Sequence, residues 1–215
     1  DPVEYDIAGL VQCQVNHDQE LTFAKLLRSF LRQDPDIILV GEVRDLETAQ
    51  ISIQASLTGH LVFTTLHTND APSSIARLTD LGVESFLLTA TLEAIIAQRL
   101  ARRICTNCKE EFMPSEEQLM ELSLRPQDVG GRTFFRGRGC ERCNKSGYKG
   151  RLAIFEIMAM NDDMREIIMS QGSTAVLRHA ARKYGMRTLR ECGLLSIYDG
   201  QTTIDEDVRE TLSED

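Results

Sequence analysis

Fifteen residues indicate the fold class most directly: Leu31-Arg-Gln-Asp-Pro-Asp-Ile-Ile-Leu-Val-Gly-Glu-Val-Arg-Asp45. Their continuous apolar run, Ile37–Val40, lies between Pro35 and Gly41, a pattern typical of a strand buried on both faces in a parallel sheet. The run leads directly into Glu42. Ligands of open α/β sheets bind beyond the carboxyl ends of the strands, so Glu42 is a candidate to order Mg²⁺ or to polarise an attacking water. On spacing alone, a core strand followed by a solvated glutamate is the simpler interpretation.

Segments of helical and strand character alternate around this stretch. The predicted helices cover residues 21–33, 45–57, 71–82 and 85–103. Asp45 is suited to cap the second of them, and residues 61–66 form another apolar run of strand length. Because strands and helices alternate, we expect an α/β domain with a mainly parallel sheet flanked by helices.

The character of the sequence changes at Cys105. Residues 105–150 contain two pairs of cysteines, six glycines and little periodic hydrophobicity, which indicates a loop-rich insertion. Strand character returns over 152–158, and 162–212 is predicted as three or four short helices separated by glycines, including Gly193. We therefore expect three parts, at 1–104, 105–150 and 151–215.

Composition and charge exclude several classes of protein. The 215 residues carry a net charge of −9, which disfavours nucleic acid as a bulk partner. No apolar run approaches the roughly 20 residues of a transmembrane helix, and the start, Asp1-Pro-Val-Glu-Tyr, lacks the features of a signal peptide. A chain that begins without Met is expected to be a piece of a longer protein, and without a secretion signal we expect it in the cytosol.

Four cysteines form two Cys-x-x-Cys pairs, Cys105 with Cys108 and Cys140 with Cys143. Each pair offers two thiolates at a spacing suited to one tetrahedral Zn²⁺, and a site filled by four thiolates is structural because no position remains for water. The 31 residues between the pairs exceed the common spacing of compact zinc ribbons. Buried or redox-active cysteines are the alternative.

Residues 31–45 resemble the signature of the secretion ATPase superfamily, the ATPases of type II secretion and type IV pilus assembly, at every fixed position of Leu-Arg-x-x-Pro-Asp, three apolar residues, Gly-Glu-x-Arg-Asp. The resemblance implies a RecA-like fold in which Glu42 is the Walker B acid and catalytic glutamate. It implies nucleotide or intersubunit contacts for Arg28, Arg32 and Arg44, for which surface ion pairs are the alternative.

Two flanking segments resemble further motifs of the same family. Asp1-Pro-Val-Glu-Tyr is similar to the end of its aspartate box, which implies that Asp1 and Glu4 lie near the metal. Residues 55–69 resemble its histidine box, with His60 and His67 as the two histidines. His67 follows the predicted strand and is placed to contact a γ-phosphate. His60 precedes the same strand, at its opposite end.

A phosphate-binding loop is absent from this sequence. Such a loop requires Gly-x-x-x-x-Gly-Lys-Ser/Thr, and no Gly-Lys dipeptide occurs here. In the family the loop lies upstream of the aspartate box, so the resemblance implies that it would precede Asp1. We expect this chain alone to bind ATP weakly or not at all, and not to hydrolyse it.

The resemblance extends through the second cysteine pair and the C-terminal helices. It implies a hexameric, Mg²⁺-dependent ATPase on the cytoplasmic face of the inner membrane, with a membrane platform protein and cytoplasmic regulators as partners. Extension and secretion ATPases commonly carry a tetracysteine zinc element, whereas retraction ATPases generally lack it. The alternative is a zinc-stabilised, non-enzymatic module that docks onto a membrane platform or regulatory partner.

Overall fold

The computed structural model describes residues 3–211, except for the side chain of His17. Its α-helices are α1 (Phe23–Phe30), α2 (Leu46–Leu57), α3 (Ala71–Asp80), α4 (Ser85–Thr91), α5 (Glu116–Glu121), α6 (Asp162–Met169), α7 (Thr174–Lys183), α8 (Leu189–Tyr198) and α9 (Ile204–Thr211). Its strands are β1 (Ile37–Val40), β2 (Leu61–Thr64), β3 (Ala94–Ile104), β4 (Lys109–Phe112), β5 (Phe134–Gly137) and β6 (Tyr148–Ala159). The chain is therefore an α/β protein, as predicted.

The chain divides into two compact units. Unit 1 comprises the residues up to Thr68, Ser73–Glu93 and Met160–Leu177, and unit 2 comprises Asn69–Pro72, Ala94–Ala159 and the residues from Arg178 onward. The boundaries predicted after residues 104 and 150 both fall within unit 2. The three-part division into core, zinc element and helical subdomain stays a prediction.

Unit 1 contains the one parallel pair among the described strands. Strands β1 and β2 pair from Ile37 with Leu61 to Val40 with Thr64. Only one face of β1 is buried, however: Ile38 and Val40 lie in the core, while Ile37 and Leu39 are exposed. The prediction of burial on both faces was wrong: among the described residues β1 pairs with β2 alone, and the face of β1 that carries Ile37 and Leu39 is not covered.

Helix boundaries in unit 1 follow from local chemistry. The Asp45 carboxylate accepts a hydrogen bond of 2.8 Å from the N–H of Thr48 and caps α2, which confirms the predicted cap. The helix ends at Leu57, and Gly59 beyond it has a φ of +99°, a conformation that favours glycine. Helix α1 also lies where the apolar spacing predicts it, and α3 lies where Pro72 and Gly82 predict its two ends.

The predicted helix over 85–103 is wrong. Helix α4 ends at Thr91, and Ala94–Ile104 is strand β3, paired with β6 in antiparallel register. Its alanines, leucine and arginines favour a helix locally. Pairing of ten of the eleven residues of β3 overrides this preference, since it satisfies the backbone and buries Ala97 and Ala101 on one face.

The register of β3 against β6 changes at one point. Arg102 lies opposite Arg151, whereas Ile104 lies opposite Tyr148, so β6 contains one residue more than β3 over this interval. This is a β-bulge, and Gly150 within it has a φ of +82°. The remaining sheet of unit 2 is the antiparallel pair of β4 and β5.

The C-terminal segment contains four short helices, α6 to α9, as predicted. Gly193 does not separate two of them but lies inside α8. A Cβ at this position would overlap the buried carboxylate of Asp207 on α9, so glycine allows the two helices to approach closely. Among the described residues, no helix combines the length and apolar character that crossing a membrane requires.

Candidate functional site

The carboxyl ends of β1 and β2 bring two predicted site residues together. Beyond the paired strands, the N–H of Val43 donates to the carbonyl of Thr65 over 3.1 Å. The Thr65 hydroxyl donates to the carbonyl of Gly41 over 2.5 Å. These bonds hold the two segments that follow β1 and β2 side by side. Glu42 and His67 lie in these segments, just beyond the strands.

Glu42 is a buried carboxylate between two basic side chains. Only 4% of the residue is exposed, and it forms an ion pair with Arg44. His67 Nε2 lies 3.2 Å from Glu42 Oε2. The Arg44 guanidinium, and to a lesser degree His67, hold the pKa of the Glu42 carboxyl below its ordinary value against the opposing effect of burial. Glu42 is therefore ionised at neutral pH.

This arrangement has the chemistry of a water-activating site. Apart from the His67 contact at 3.2 Å, the buried Glu42 Oε2 has no hydrogen-bond partner among the described residues, so it has a lone pair with which to accept from a water. Protein sites for Mg²⁺ in phosphate chemistry commonly use one or two carboxylates, waters and the substrate phosphates. A single buried carboxylate at the end of a parallel strand fits that donor set, and the exposed ring of His67 can donate to an anionic ligand.

The structure does not bring the remaining predicted residues into contact with Glu42. His60 lies at the opposite end of β2, where its Nδ1 donates to the carbonyl of Ala55 in α2 over 2.9 Å. Arg28 forms a surface ion pair of 2.7 Å with Glu47. Arg32 and Glu4 are exposed, and Asp1 lies outside the described residues.

Strand pairing explains how two distant Cys-x-x-Cys pairs meet. Strand β3 leads into Cys105, and β4 follows Cys108; β5 leads into the Cys140 region, and β6 follows Cys143. Because β3 pairs with β6 and β4 with β5, both cysteine pairs lie where the two antiparallel sheets end. The 31 intervening residues, which lowered the expectation from spacing, form a strand, a helix and a returning strand.

The four sulfur atoms have the geometry of a tetrahedral metal site. All lie within 4.8 Å of one another. The distances are 3.9 Å from Cys105 to Cys140, 3.8 Å from Cys108 to Cys143 and 3.7 Å from Cys140 to Cys143. Zinc–thiolate bonds of about 2.3 Å would place tetrahedral sulfur atoms about 3.8 Å apart. These three distances therefore fit a Zn²⁺ ion bound by the four thiolates.

Backbone N–H groups stabilise the thiolate form of Cys143. Burial raises the pKa of the Cys108 thiol to about 12. Burial also acts to raise the pKa of Cys143, but N–H groups of Cys140 and Gly147 point at its sulfur, at 3.2 and 3.3 Å. These donors lower that pKa to about 6. A bound dication stabilises all four thiolates.

Two buried glutamates were missed by sequence reasoning. Glu156 on β6 and Glu206 on α9 are each 1% exposed. The burial of Glu156 could have been predicted from the sequence. Leu152, Ile154 and Met158 are buried on one face of the strand, and residue 156 falls on that same face because side chains alternate. No comparable signal marks Glu206.

The chain matches the model of one protein family. Residues 1–209 match the family described as type II/IV secretion system protein. The type IV pilus assembly ATPase PilB of Thermus thermophilus is 50% identical over 212 residues, which cover 99% of this chain and 24% of that protein. The type II secretion system protein HxcR of Pseudomonas aeruginosa is 49% identical and is covered to 41% of its length.

Solved structures of motor ATPases resemble the fold. The pilus retraction motor PilT with bound ADP superposes with a TM-score of 0.61 at 28% identity, over 90% of this chain and 44% of that one. The Legionella pneumophila ATPase DotB gives a TM-score of 0.58 at 21% identity, over 90% of this chain and 43% of that one, a likeness of fold alone. This chain thus spans less than half the length of these relatives.

Proposed function

The chain belongs to the type II/IV secretion system protein family, and we propose that it forms part of a motor ATPase that drives type IV pilus assembly or type II protein secretion. The observation that carries this proposal is the buried, ionised Glu42 at the carboxyl end of β1, with His67 3.2 Å away at the end of β2. Both residues stand where α/β proteins bind ligands.

Within that motor, Glu42 accepts a hydrogen bond from the attacking water and orients it toward the γ-phosphate of ATP. Mg²⁺, when bound, neutralises charge on the phosphates. His67 donates from its exposed ring to the γ-phosphate, so it reports the loss of that group after hydrolysis. Arg44 lies against Glu42 and keeps it ionised. Arg28, Arg32, His60, Asp1 and Glu4 contribute to the nucleotide site or to contacts between subunits in the complete motor.

The four cysteines Cys105, Cys108, Cys140 and Cys143 hold a structural Zn²⁺ in this proposal. Their sulfur–sulfur distances match a tetrahedral thiolate site. A zinc element of this kind supports assembly or secretion rather than retraction. The complete protein forms a hexamer at the cytoplasmic face of the inner membrane, where a membrane platform protein and cytoplasmic regulators are its partners. Relatives of the pilus and the secretion kind are equally similar, at 50% and 49% identity, and both remain candidates.

We further propose that these 215 residues alone do not turn over ATP. Their sequence contains no Gly-Lys dipeptide and so no phosphate-binding loop. The same observation favours a second function for this chain by itself: a zinc-stabilised, non-enzymatic module that docks onto a membrane platform or regulatory partner. Nucleotide titration separates the two. Binding that appears only when an upstream segment with the loop is present supports the motor.

The decisive experiment compares phosphate release by a longer protein, carrying this chain and an upstream loop, with that of two variants. Glu42→Gln removes the base and is expected to lower turnover about 10²- to 10⁴-fold while nucleotide binding persists. Glu84→Gln is the control, since Glu84 is an exposed glutamate of the same unit, and should hydrolyse ATP normally. Turnover by Glu42→Gln near that of the control would refute the assignment.

A further inference from the structure

The four cysteines of the cluster in unit 2 differ in how well the protein covers them. Cys105, Cys108 and Cys143 are buried, with 2%, 7% and 6% of each residue exposed. Cys140 is only partly buried. The reactivity of a cysteine increases with its exposure, because a reagent must reach the sulfur. Cys140 is therefore the member of the cluster that a molecule from solution reaches most easily.

One side chain from the first cysteine pair bonds to this accessible sulfur. Asn107 Nδ2 donates a hydrogen bond to Cys140 Sγ over 3.3 Å. In the described part of the chain, no other side chain outside the cluster is found to donate to one of the four sulfurs. Asn107 lies between Cys105 and Cys108 in the sequence, so this bond joins the first cysteine pair to the second.

The sulfur of Cys143, by contrast, is held by the backbone. The N–H groups of Cys140 and Gly147 point at it over 3.2 and 3.3 Å. Substitution of a side chain leaves such donors in place as long as the backbone keeps its course. The bond from Asn107 to Cys140 differs, because a substitution can remove it while the backbone of the site stays intact.

The backbone around Asn107 is fixed on both sides. The N–H of Cys105 donates to the carbonyl of Gly147 over 2.9 Å, and the carbonyl of Cys108 accepts from the N–H of Arg138 over 2.9 Å. Both bonds run to segments that flank the second cysteine pair. The short amide of Asn107 is thus presented to Cys140 from a turn that is bonded at its first and last residues.

A hydrogen-bond donor at this sulfur matters because of the charge of the site. Four thiolates around one Zn²⁺ leave two negative charges in excess. Groups that donate to metal ligands orient them and tune the metal, and their mutation typically costs 10- to 100-fold in metal affinity. Loss of the Asn107 amide would remove such a donor from Cys140, the least covered of the four ligands.

We propose that Cys140 is the ligand through which the metal site opens to competing ligands and soft electrophiles, and that Asn107 restricts this opening by donating to its sulfur. A competing ligand has to displace one thiolate from the metal first. The three buried sulfurs are screened from solution, so the displacement starts at Cys140. This inference rests on the structural Zn²⁺ proposed above.

Limited alkylation of the zinc-loaded chain tests the role of Cys140. In the reaction with iodoacetamide, the thiolate sulfur forms a bond to carbon and iodide leaves. At low conversion, peptide mass spectrometry should find Cys140 modified before the other three ligands. Cys13 is exposed and lies outside the cluster, so it serves as an internal reference for the reagent. Modification of a buried ligand as early as Cys140 would overturn the proposal.

Zinc transfer to a chromophoric chelator tests the role of Asn107. Asn107→Ala should release zinc roughly 10-fold faster than the original chain, and its alkylation at Cys140 should accelerate as well. Asn107→Asp has nearly the same size but no amide donor, and should also release zinc faster. Slow release by Asn107→Asp would show that the side chain only fills space, which contradicts control through the hydrogen bond.

Thr106→Ala is the matched control. Thr106 is an exposed residue of the same turn, and its hydroxyl is not found to bond to a sulfur among the described residues. This variant should release zinc at the original rate, and equal rates for Thr106→Ala and Asn107→Ala would refute the role of Asn107. If Asn107→Ala cannot be isolated with zinc, Asn107→Gln displaces the amide by one methylene. It must then release zinc faster than Thr106→Ala, or the proposal fails.

Elemental analysis before each measurement separates this inference from the metal site on which it rests. A purified, reduced chain without zinc would refute the proposed site and the inference together. A chain with about one zinc ion, in which neither the alkylation order nor the release rates follow the expected pattern, would refute the inference alone.

Discussion

The carboxylate of Asp207 occupies the space that a Cβ on Gly193 would need. Helices α8 and α9 therefore meet at a point where only glycine fits. We expect Gly193→Ala to lower the free energy of unfolding by about 1–3 kcal/mol, the usual cost of overpacking a core, although alanine favours a helix elsewhere. Urea unfolding followed by tyrosine fluorescence measures this, since Tyr148, Tyr184 and Tyr198 belong to unit 2. The penalty should shrink in an Asp207→Ala background, and an equal penalty there would contradict the explanation.

Zinc content provides a second prediction. The purified, reduced chain should contain about one zinc ion, as expected for four thiolates around one metal. Cys143→Ser should lose most of it, because Cys143 is the thiol that the backbone favours as a thiolate. The controls are Cys13→Ser and Cys192→Ser, whose sulfurs lie outside the cluster. Elemental analysis decides the outcome, and a content well below one ion per chain would exclude the site.

Gly147 should be required for tight binding of the metal. It has a φ of +80°, and a Cβ there would lie 2.5 Å from the carbonyl oxygen of Gly137. Its own N–H points at Cys143, and its carbonyl accepts from the N–H of Cys105. Gly147→Ala should therefore release zinc faster to a chromophoric chelator. Gly185→Ala is the matched control, with a φ of +96° and open space around its Cβ. Equal release rates from both variants would show that backbone strain alone is responsible.

The two buried glutamates of unit 2 should affect stability with opposite pH dependence. Burial and Asp70 raise the pKa of Glu156 above its ordinary value of 4.5, so its contribution is fully present below about pH 4.5 and is lost as the pH rises through the folded-state pKa. Glu206 experiences burial too, but the Arg102 guanidinium and N–H lower its pKa below 4.5. Its contribution is present above that pH and is lost as the pH falls.

Urea unfolding of Glu156→Gln and Glu206→Gln across about pH 3.5–8 tests this. The stability of the original chain relative to Glu156→Gln should decrease with rising pH, and that relative to Glu206→Gln should increase. Both comparisons are between chains with the same cysteines, so effects of zinc release cancel. If the stability difference changed with pH in the same direction for both variants, one of the two pKa shifts would be contradicted.

The sequence predicts those parts of the fold in which local chemistry and tertiary structure agree. The cap at Asp45, the apolar spacing of α1 and the Pro72 and Gly82 signals that bound α3 are local, and the structure follows them. The helix predicted over 85–103 fails because β3 is specified by a partner strand 44 to 65 residues further along the chain, from Ile104 with Tyr148 to Ala94 with Ala159, whose effect is invisible in the composition of β3 itself. Burial on one face of β1 was equally out of reach, since sheet width is not a local property.

Some parts of the candidate site could likewise be predicted from the sequence and others could not. Spacing identified Cys105, Cys108, Cys140 and Cys143, and the position of Glu42 after an apolar strand was informative. The contact of His67 with Glu42 depends on the parallel register of β1 and β2, which no single segment encodes.

The bulge at Gly150 determines which insertions and deletions the paired strands β3 and β6 tolerate. Deleting Arg151, which follows the bulge, would turn Leu152, Ile154 and Met158 out to solvent, because side chains alternate between the faces of a strand. Loss of the extra residue at the bulge itself would instead shift Tyr148 and the cysteine pair before it relative to β3. Insertions and deletions should therefore accumulate in the loop after α5, residues 122–133, and be rare between Tyr148 and Ala159.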